Sequence, residues 1–270
     1  MTHYNATFSI SDKKKKDQFI SLFQLLKASS SQMNVTMGID EMHIQGMDKS
    51  HVCLFDLLLH KDWFQQYAVT NTLQLCFDIN TFCSIINTKS EDQQLLFYID
   101  SENTDIAHIQ FKNLEEKKSE YDKYFKLPLQ EYEYEEMLVP PAEYDVEVAL
   151  PSKKISDVLS QLSNFGDDLQ VKCSEDWIDF ITARDSIEMC VRIVIEDNDI
   201  ASYAIMLDEN KTSDVLQFAY SLVYVHKLCI TNKLSTNIEF SLSAECPMKI
   251  YYDLGNQSSL YFYIAPKMVE

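Results

Sequence analysis

Apolar and polar positions in this chain follow two periods, and the same succession of periods occurs twice. Phe19, Leu22, Phe23 and Leu26 fall at i, i+3, i+4 and i+7, which predicts a helix with one apolar face. After a stop at Ser29–Ser31, the run from Val35 to Asp48 predicts two short strands around a tight Asp40–Glu41 turn. In the second half, Ile155, Val158, Leu159 and Leu162 repeat the helical spacing, closed by Asn164-Phe-Gly166. The run from Val171 to Asp185 again predicts strand, acidic turn and strand. Helix, hairpin and terminal Asp therefore recur about 136 residues apart, the signature of an internal repeat.

The later part of each half agrees. Leu73–Asp78 leads into Ile79, Phe82, Cys83 and Ile86, and Tyr203–Asp208 leads into Val215, Phe218, Ala219 and Leu222, both at helical spacing. Strands follow at Gln94–Ile99 and Ile106–Phe111 in the first half. In the second they fall at Ile238–Leu242, Lys249–Tyr252 and Leu260–Ile264. Each half reads as one α+β unit with two helices. Between the halves, Glu115–Asp145 carries 10 acids against 4 lysines, and Pro128, Pro140 and Pro141 break any helix. Its Leu127–Pro141 core mixes acids with Leu, Tyr, Met and Val. Two readings fit: a surface connector anchored at intervals, or one wall of a partner groove.

Composition narrows the chemistry. At 270 residues with 46% apolar content the chain has ample material for a core. Gly38, Gly46, Gly166 and Gly255 are its only glycines, so neither a Gly-rich phosphate loop nor a nucleophile elbow can be written. No stretch approaches 18 apolar residues, and Met1–Asn5 lacks a signal-peptide pattern, so no membrane partner is expected. Seven cysteines without a C-x-x-C pair read as buried reduced thiols of an intracellular protein. Six scattered histidines form no H-x-x-x-H. No catalytic residue, metal or cofactor is expected. The net charge of −19 argues against a simple basic nucleic-acid binder.

Short motifs in register carry a resemblance. Ile44-Gln-Gly-Met-Asp-Lys-Ser-His-Val-Cys-Leu54, Pro151-Ser152, Leu162-Ser-Asn-Phe-Gly-Asp167, Ser243-Ala-Glu-Cys-Pro247 and Tyr263-Ile-Ala-Pro-Lys267 resemble, in order, signatures of the eukaryotic-type DNA sliding clamps of the proliferating cell nuclear antigen family. The resemblance implies an α+β clamp fold of two similar domains, with sheets outside and helices lining a ring. Its expected bounds are a first domain at 1–124, a connecting loop at 125–143 and a second domain at 144–270. It implies a homotrimer around duplex DNA, pairing Asp105–Phe111 of one subunit with Ser186–Val194 of the next. Such a ring is not an enzyme. It acts as a processivity factor, tethering DNA polymerase and other replication or repair proteins, and is opened by a clamp loader. The expected location is the nucleus, or a cytoplasmic replication site for a viral member.

Site residues transfer position by position. The resemblance places the partner-peptide groove at Met47, His51, Val52, Leu54, Met137, Val139, Pro140, Pro247, Tyr263, Ile264, Ala265 and Pro266. Lys27 matches a DNA-facing basic position, whereas Ile20, Ser21, Ser84, Asn87, Asp157, Ser160 and Ile230 replace others. Nearby lysines become the substitute contacts: Lys13, Lys14, Lys15, Lys16, Lys89, Lys153, Lys154, Lys227 and Lys233. The lysine whose modification recruits bypass polymerases in many clamps falls near Glu175, beside Lys172. An acidic total remains compatible with DNA if lysines gather on the inner helices, because fields are screened beyond about 8–10 Å. Two rivals stay open: a clamp-fold scaffold that does not encircle DNA, and an acidic DNA-mimic inhibitor.

Overall fold

The computed structural model describes residues 4–114, 121–131, 137–196, 200–206 and 214–267. The chain divides into two compact units. The first takes residues 1–49, 55–137 and 254–260, and the second takes 50–54, 138–253 and 261–270.

The first repeat runs β1 (Tyr4–Ile10), α1 (Lys13–Leu26), β2 (Gln32–Met37), β3 (Glu41–Met47), β4 (Cys53–His60), a short 3-10 turn, β5 (Gln66–Val69), β6 (Leu73–Asp78), α2 (Ile79–Ile86), β7 (Gln93–Asp100), β8 (Ile106–Asn113) and β9 (Lys123–Pro128). The second runs β10 (Val146–Pro151), α3 (Ser152–Leu162), β11 (Asp168–Cys173), β12 (Trp177–Arg184), β13 (Ile187–Val194), β14 (Ser202–Ile205), β15 (Leu216–Ser221), α4 (Leu222–Cys229), β16 (Asn237–Leu242), β17 (Met248–Gly255) and β18 (Ser258–Ile264). Apart from the 3-10 turn the order is identical. Strand order repeats too: β5-β1-β7-β8-β9 and β4-β3-β2-β6 in the first repeat match β14-β10-β16-β17-β18 and β13-β12-β11-β15 in the second. The duplication read from hydrophobic spacing is thus present strand for strand.

Local chemistry explains the helices. Asp12 caps α1 by accepting the Lys15 N–H at 2.8 Å, and Asp78 caps α2 through Thr81 N and Oγ1, both at 2.7 Å. Phe19, Leu22, Phe23 and Leu26 are all buried, and Phe23 meets Phe82 of α2 edge-on at 4.7 Å. In α3 the same stripe buries Ile155, Leu159 and Leu162. Gly46 on β3 makes room for the Phe55 ring of β4, since a Cβ there would lie 2.4 Å from Phe55 Cζ.

Two expectations are corrected. The helical spacing at Val215, Phe218, Ala219 and Leu222 spans a strand and the start of the next helix. In β15, Phe218 and Tyr220 are buried alternately against β11, and α4 begins only at Leu222. A short apolar run satisfies both periods, and sheet pairing decided between them. The second correction concerns Asp105–Phe111, expected to be an edge. It lies mostly in β8, which is paired on both sides by β7 and β9. The edge is β9. Asp208 lies outside the described residues, as do 115–120 and 132–136 of the acidic segment.

The lysine run at the start of α1 opposes the helix dipole, and the fold turns it to other uses. Lys16 is only 2% exposed, and its ammonium donates to the carbonyls of Glu91 (2.7 Å) and Gln93. Burial lowers its pKa from the ordinary lysine value. Lys16→Met keeps the stem but orphans two carbonyls, and should cost about 1–3 kcal/mol in urea denaturation. Lys14→Met, at an exposed position, should stay within about 0.5 kcal/mol of the parent.

Candidate functional site

The ten lysines expected at DNA divide by environment. Lys16 is interior. Lys15 donates to Trp63 O at 2.5 Å and to Asn256 Oδ1 at 3.2 Å, and desolvation lowers its pKa against the opposing pull of Asp12. Lys13 pairs with Glu91 at 2.6 Å, and Lys89 pairs with Asp17. Lys14, Lys27, Lys153, Lys154, Lys227 and Lys233 stand exposed on or beside the helices. In the first unit the same helices also expose Gln24, Asn80, Thr81, Ser84 and Asn87, with Gln24 Nε2 donating to Asn87 Oδ1 at 2.9 Å. In the second they expose Asp157, Val223 and Ile230, the last two 55% and 58% accessible. The first unit therefore has a polar helix layer and the second a mixed one, each with a sparse set of cations. Such a layer can meet a phosphate backbone without reading bases.

The residues expected in the groove also separate. In the second unit, Ala265 N donates to Val52 O at 2.9 Å, bringing the C-terminal Tyr263–Pro266 segment beside the His51–Leu54 segment. His51 is exposed with φ 55°, a left-handed conformation that non-glycine residues adopt at a cost, which makes its turn tight. Val52, Leu54, Tyr263 and Ala265 are half-buried, while Val139, Pro140, Pro247 and Pro266 are exposed. Ile264 is fully buried, its side chain belonging to the core face of β18. It therefore presents no side-chain surface to a groove, unlike its half-buried neighbours Tyr263 and Ala265. In the first unit, Met47 and Met137 are half-buried. Met137 is held by its own main chain: its N–H donates to Gln45 Oε1 and its C=O accepts from Gln45 Nε2, both at 2.8 Å. Gln45 was absent from the expected set, although it shares the outward face of β3 with His43 and Met47. Only the fold shows what it touches.

Sheet edges form the third feature. β9 pairs only with β8, and β13 only with β12, among the described residues. Both edges carry exposed apolar groups: Tyr124 at 63%, Ile187 at 58% and Val194 at 43%. Arg192 of β13 is forked onto buried Asp179, two bonds of 2.7 Å, and lies 4.1 Å over the Trp177 ring. Among the described residues there is no cluster of His, Cys, Asp and Glu able to hold a metal. No helix among them is long and apolar enough to cross a membrane.

Two family models cover nearly all of the chain. Residues 15–135 match the proliferating cell nuclear antigen N-terminal domain, and residues 138–267 match its C-terminal domain. The chain belongs to the proliferating cell nuclear antigen family. It is 25% identical over 227 residues to the proliferating cell nuclear antigen of Chaetomium thermophilum, covering 83% of this chain and 85% of that one. The crystal structure of this antigen from Thermococcus kodakaraensis superposes with a TM-score of 0.84 at 16% identity, over 97% of this chain and 100% of that one. The Entamoeba histolytica structure gives 0.83 at 20% identity, over 98% and 100%. A PCNA2–PCNA3 complex from Sulfolobus tokodaii gives 0.83 at 18%, over 97% and 99%.

The family is the one its motifs resemble, and one sheet edge lies a strand later than expected, at β9. The expectation of buried thiols holds for Cys53, Cys76, Cys83, Cys173 and Cys229, while Cys190 is exposed on the β13 edge and Cys246 is half-buried. Burial pushes Cys83 up to about 11, and Cys173 and Cys229 up to about 12. Maleimide at pH 8 on dissociated chains should modify Cys190 first and Cys246 more slowly, read by peptide mass spectrometry. Cys83, Cys173 and Cys229 should stay unmodified until denaturant is added.

Proposed function

We propose that this clamp-family chain assembles head to tail into a closed homotrimer around duplex DNA. It then tethers polymerase and other replication or repair proteins by short peptides. The observation that carries the reading is an unmade junction. By strand order, β4 and β18 of one repeat position correspond to β13 and β9 of the other. The first pair is flanked inside the chain by Ala265 N to Val52 O (2.9 Å) and His60 N to Ser258 Oγ (2.9 Å). The second pair has no counterpart to these bonds among the described residues. A neighbouring copy supplying β9 to β13 would complete it, and a heterologous contact of this kind either closes a ring or runs on as a filament. Closure at three subunits rests on family membership. So do domain bounds at 1–124, 125–143 and 144–270, a loader that opens the ring, and a site of action wherever duplex DNA is replicated, the nucleus or a viral factory in the cytoplasm.

In this reading Lys14, Lys27, Lys153, Lys154, Lys227 and Lys233 face the phosphates, with Lys13, Lys15 and Lys89 contributing from their ion pairs or hydrogen bonds. So thin a lining holds DNA by topology more than by attraction. The groove residues Met47, His51, Val52, Leu54, Met137, Val139, Pro140, Pro247, Tyr263, Ala265 and Pro266 receive apolar anchors of the partner, whose tethering raises its local concentration. The chain contributes no chemical step. Val223 and Ile230, apolar on a helix layer that should meet DNA, favour the second reading of a scaffold that does not encircle it.

Solution mass should show a species of three 31.4 kDa chains. Ile187→Asp with Tyr124→Asp should release monomers, and assembly should shield Cys190 from maleimide. A strict monomer at micromolar concentration, or a ring formed only with a second clamp chain as partner, would sink the homotrimer. Loaded on nicked circular DNA, the ring should survive high salt and be released on linearisation. Loss at high salt from the circle selects the scaffold. Val139→Glu and Tyr263→Glu should each weaken binding of a partner-type peptide by about tenfold or more, measured by fluorescence anisotropy.

A further inference from the structure

We propose that Gln45 is a positioning residue for the partner groove: its side-chain amide acts as a short substitute strand that fixes where the connector rejoins the fold. The proposal rests on the groove reading above. Gln45 is 4% exposed on β3, and its amide is committed on both sides. Nε2 donates to Met137 O at 2.8 Å and to Asp56 Oδ2 at 3.1 Å, while Oε1 accepts Met137 N–H at 2.8 Å. One side chain therefore takes both main-chain groups of Met137, as a neighbouring strand would. Asp56 decides which way the amide faces. A carboxylate only accepts, so the flipped amide would set oxygen against oxygen at Asp56 and N–H against N–H at Met137. His43 Nε2 lies 3.0 Å from the other Asp56 oxygen, holding the carboxylate in turn.

The position matters because little else holds the chain there. Residues 137–144 carry no helix or strand. The next main-chain anchor along the chain is Asp145 N to Leu242 O at 2.9 Å. Between these points Leu138 is 90% exposed and Val139 37%, so the apolar residues offered to a partner follow directly on the residue that Gln45 grips. Fixing Met137 removes part of the ordering cost that a partner peptide would otherwise meet on binding.

The test uses the full chain and a labelled peptide with one aliphatic and two aromatic anchors. Gln45→Met keeps volume and loses the hydrogen bonds to Met137 N, Met137 O and Asp56. Exchange of the Met137 amide should accelerate about tenfold or more, and peptide affinity should fall about tenfold, mainly through faster dissociation. Gln45→Glu sets a second carboxylate against Asp56 and Met137 O, and should bind as poorly or worse. Adding Asp56→Asn returns a donor to that contact, and the double variant should recover much of the lost affinity, a coupling that general destabilisation would not produce. Unchanged Met137 exchange, unchanged affinity in Gln45→Met, or a double variant no better than Gln45→Glu would each overturn the proposal. If the parent chain binds no such peptide, the groove reading fails instead. Met137 exchange then still decides whether Gln45 grips the connector.

Discussion

A sheet edge cannot be left idle: its free N–H and C=O groups find a partner or invite one. In this chain that constraint bears on β9 and β13, two of the strands that end its sheets. Duplicating a β-α-β unit duplicates its edges, and a single chain can satisfy one set internally while leaving the other set for a second copy. The main-chain bond from Ala265 to Val52 marks the satisfied junction, and β9 and β13 are the open counterparts. The apolar exposure of Tyr124, Ile187 and Val194 falls where an incoming strand would cover it. Asp179 meanwhile keeps Arg192 of β13 in a defined geometry that a partner can match.

The charge distribution follows a second rule, that an ammonium is used according to what surrounds it. Four successive lysines at the start of α1 look like a phosphate-binding run. Their ends diverge because a helix turns about 100° per residue. Lys14 points to solvent, Lys13 finds Glu91, Lys15 finds Trp63 O, and Lys16 goes inward to two carbonyls. Only part of the run is therefore exposed to solvent.

How much could be read in advance depended on the range of the interaction. Helices α1, α2 and α3 and the strand–turn–strand units followed from local spacing, because each buries one stripe whatever its neighbours are. The Val215–Leu222 stretch did not, since its apolar residues fit a helix and a strand equally and only pairing with β11 chose. Likewise the sequence reading put the edge at Asp105–Phe111 and named no strand at Lys123–Pro128, and only the ladder shows β8 covered on both sides. Of the residues that the motifs put forward for a groove, Tyr263, Val52 and Val139 reach the surface, whereas Ile264 turns to the core, because residues of β18 alternate between core and surface.

What the amino-acid order determined alone was the grammar: two repeats, the helices α1, α2 and α3, the acidic connector and the family. These depend on periodicity and on residues adjacent in the chain. What only the tertiary structure decided was which groups meet across long separations. Examples are Lys16 with carbonyls 75 and 77 residues away, and Gln45 with Met137, 92 residues on. Hydrogen bonds are directional and short-ranged, so no spacing rule along the chain encodes them. They exist only once packing has brought their partners within about 3 Å.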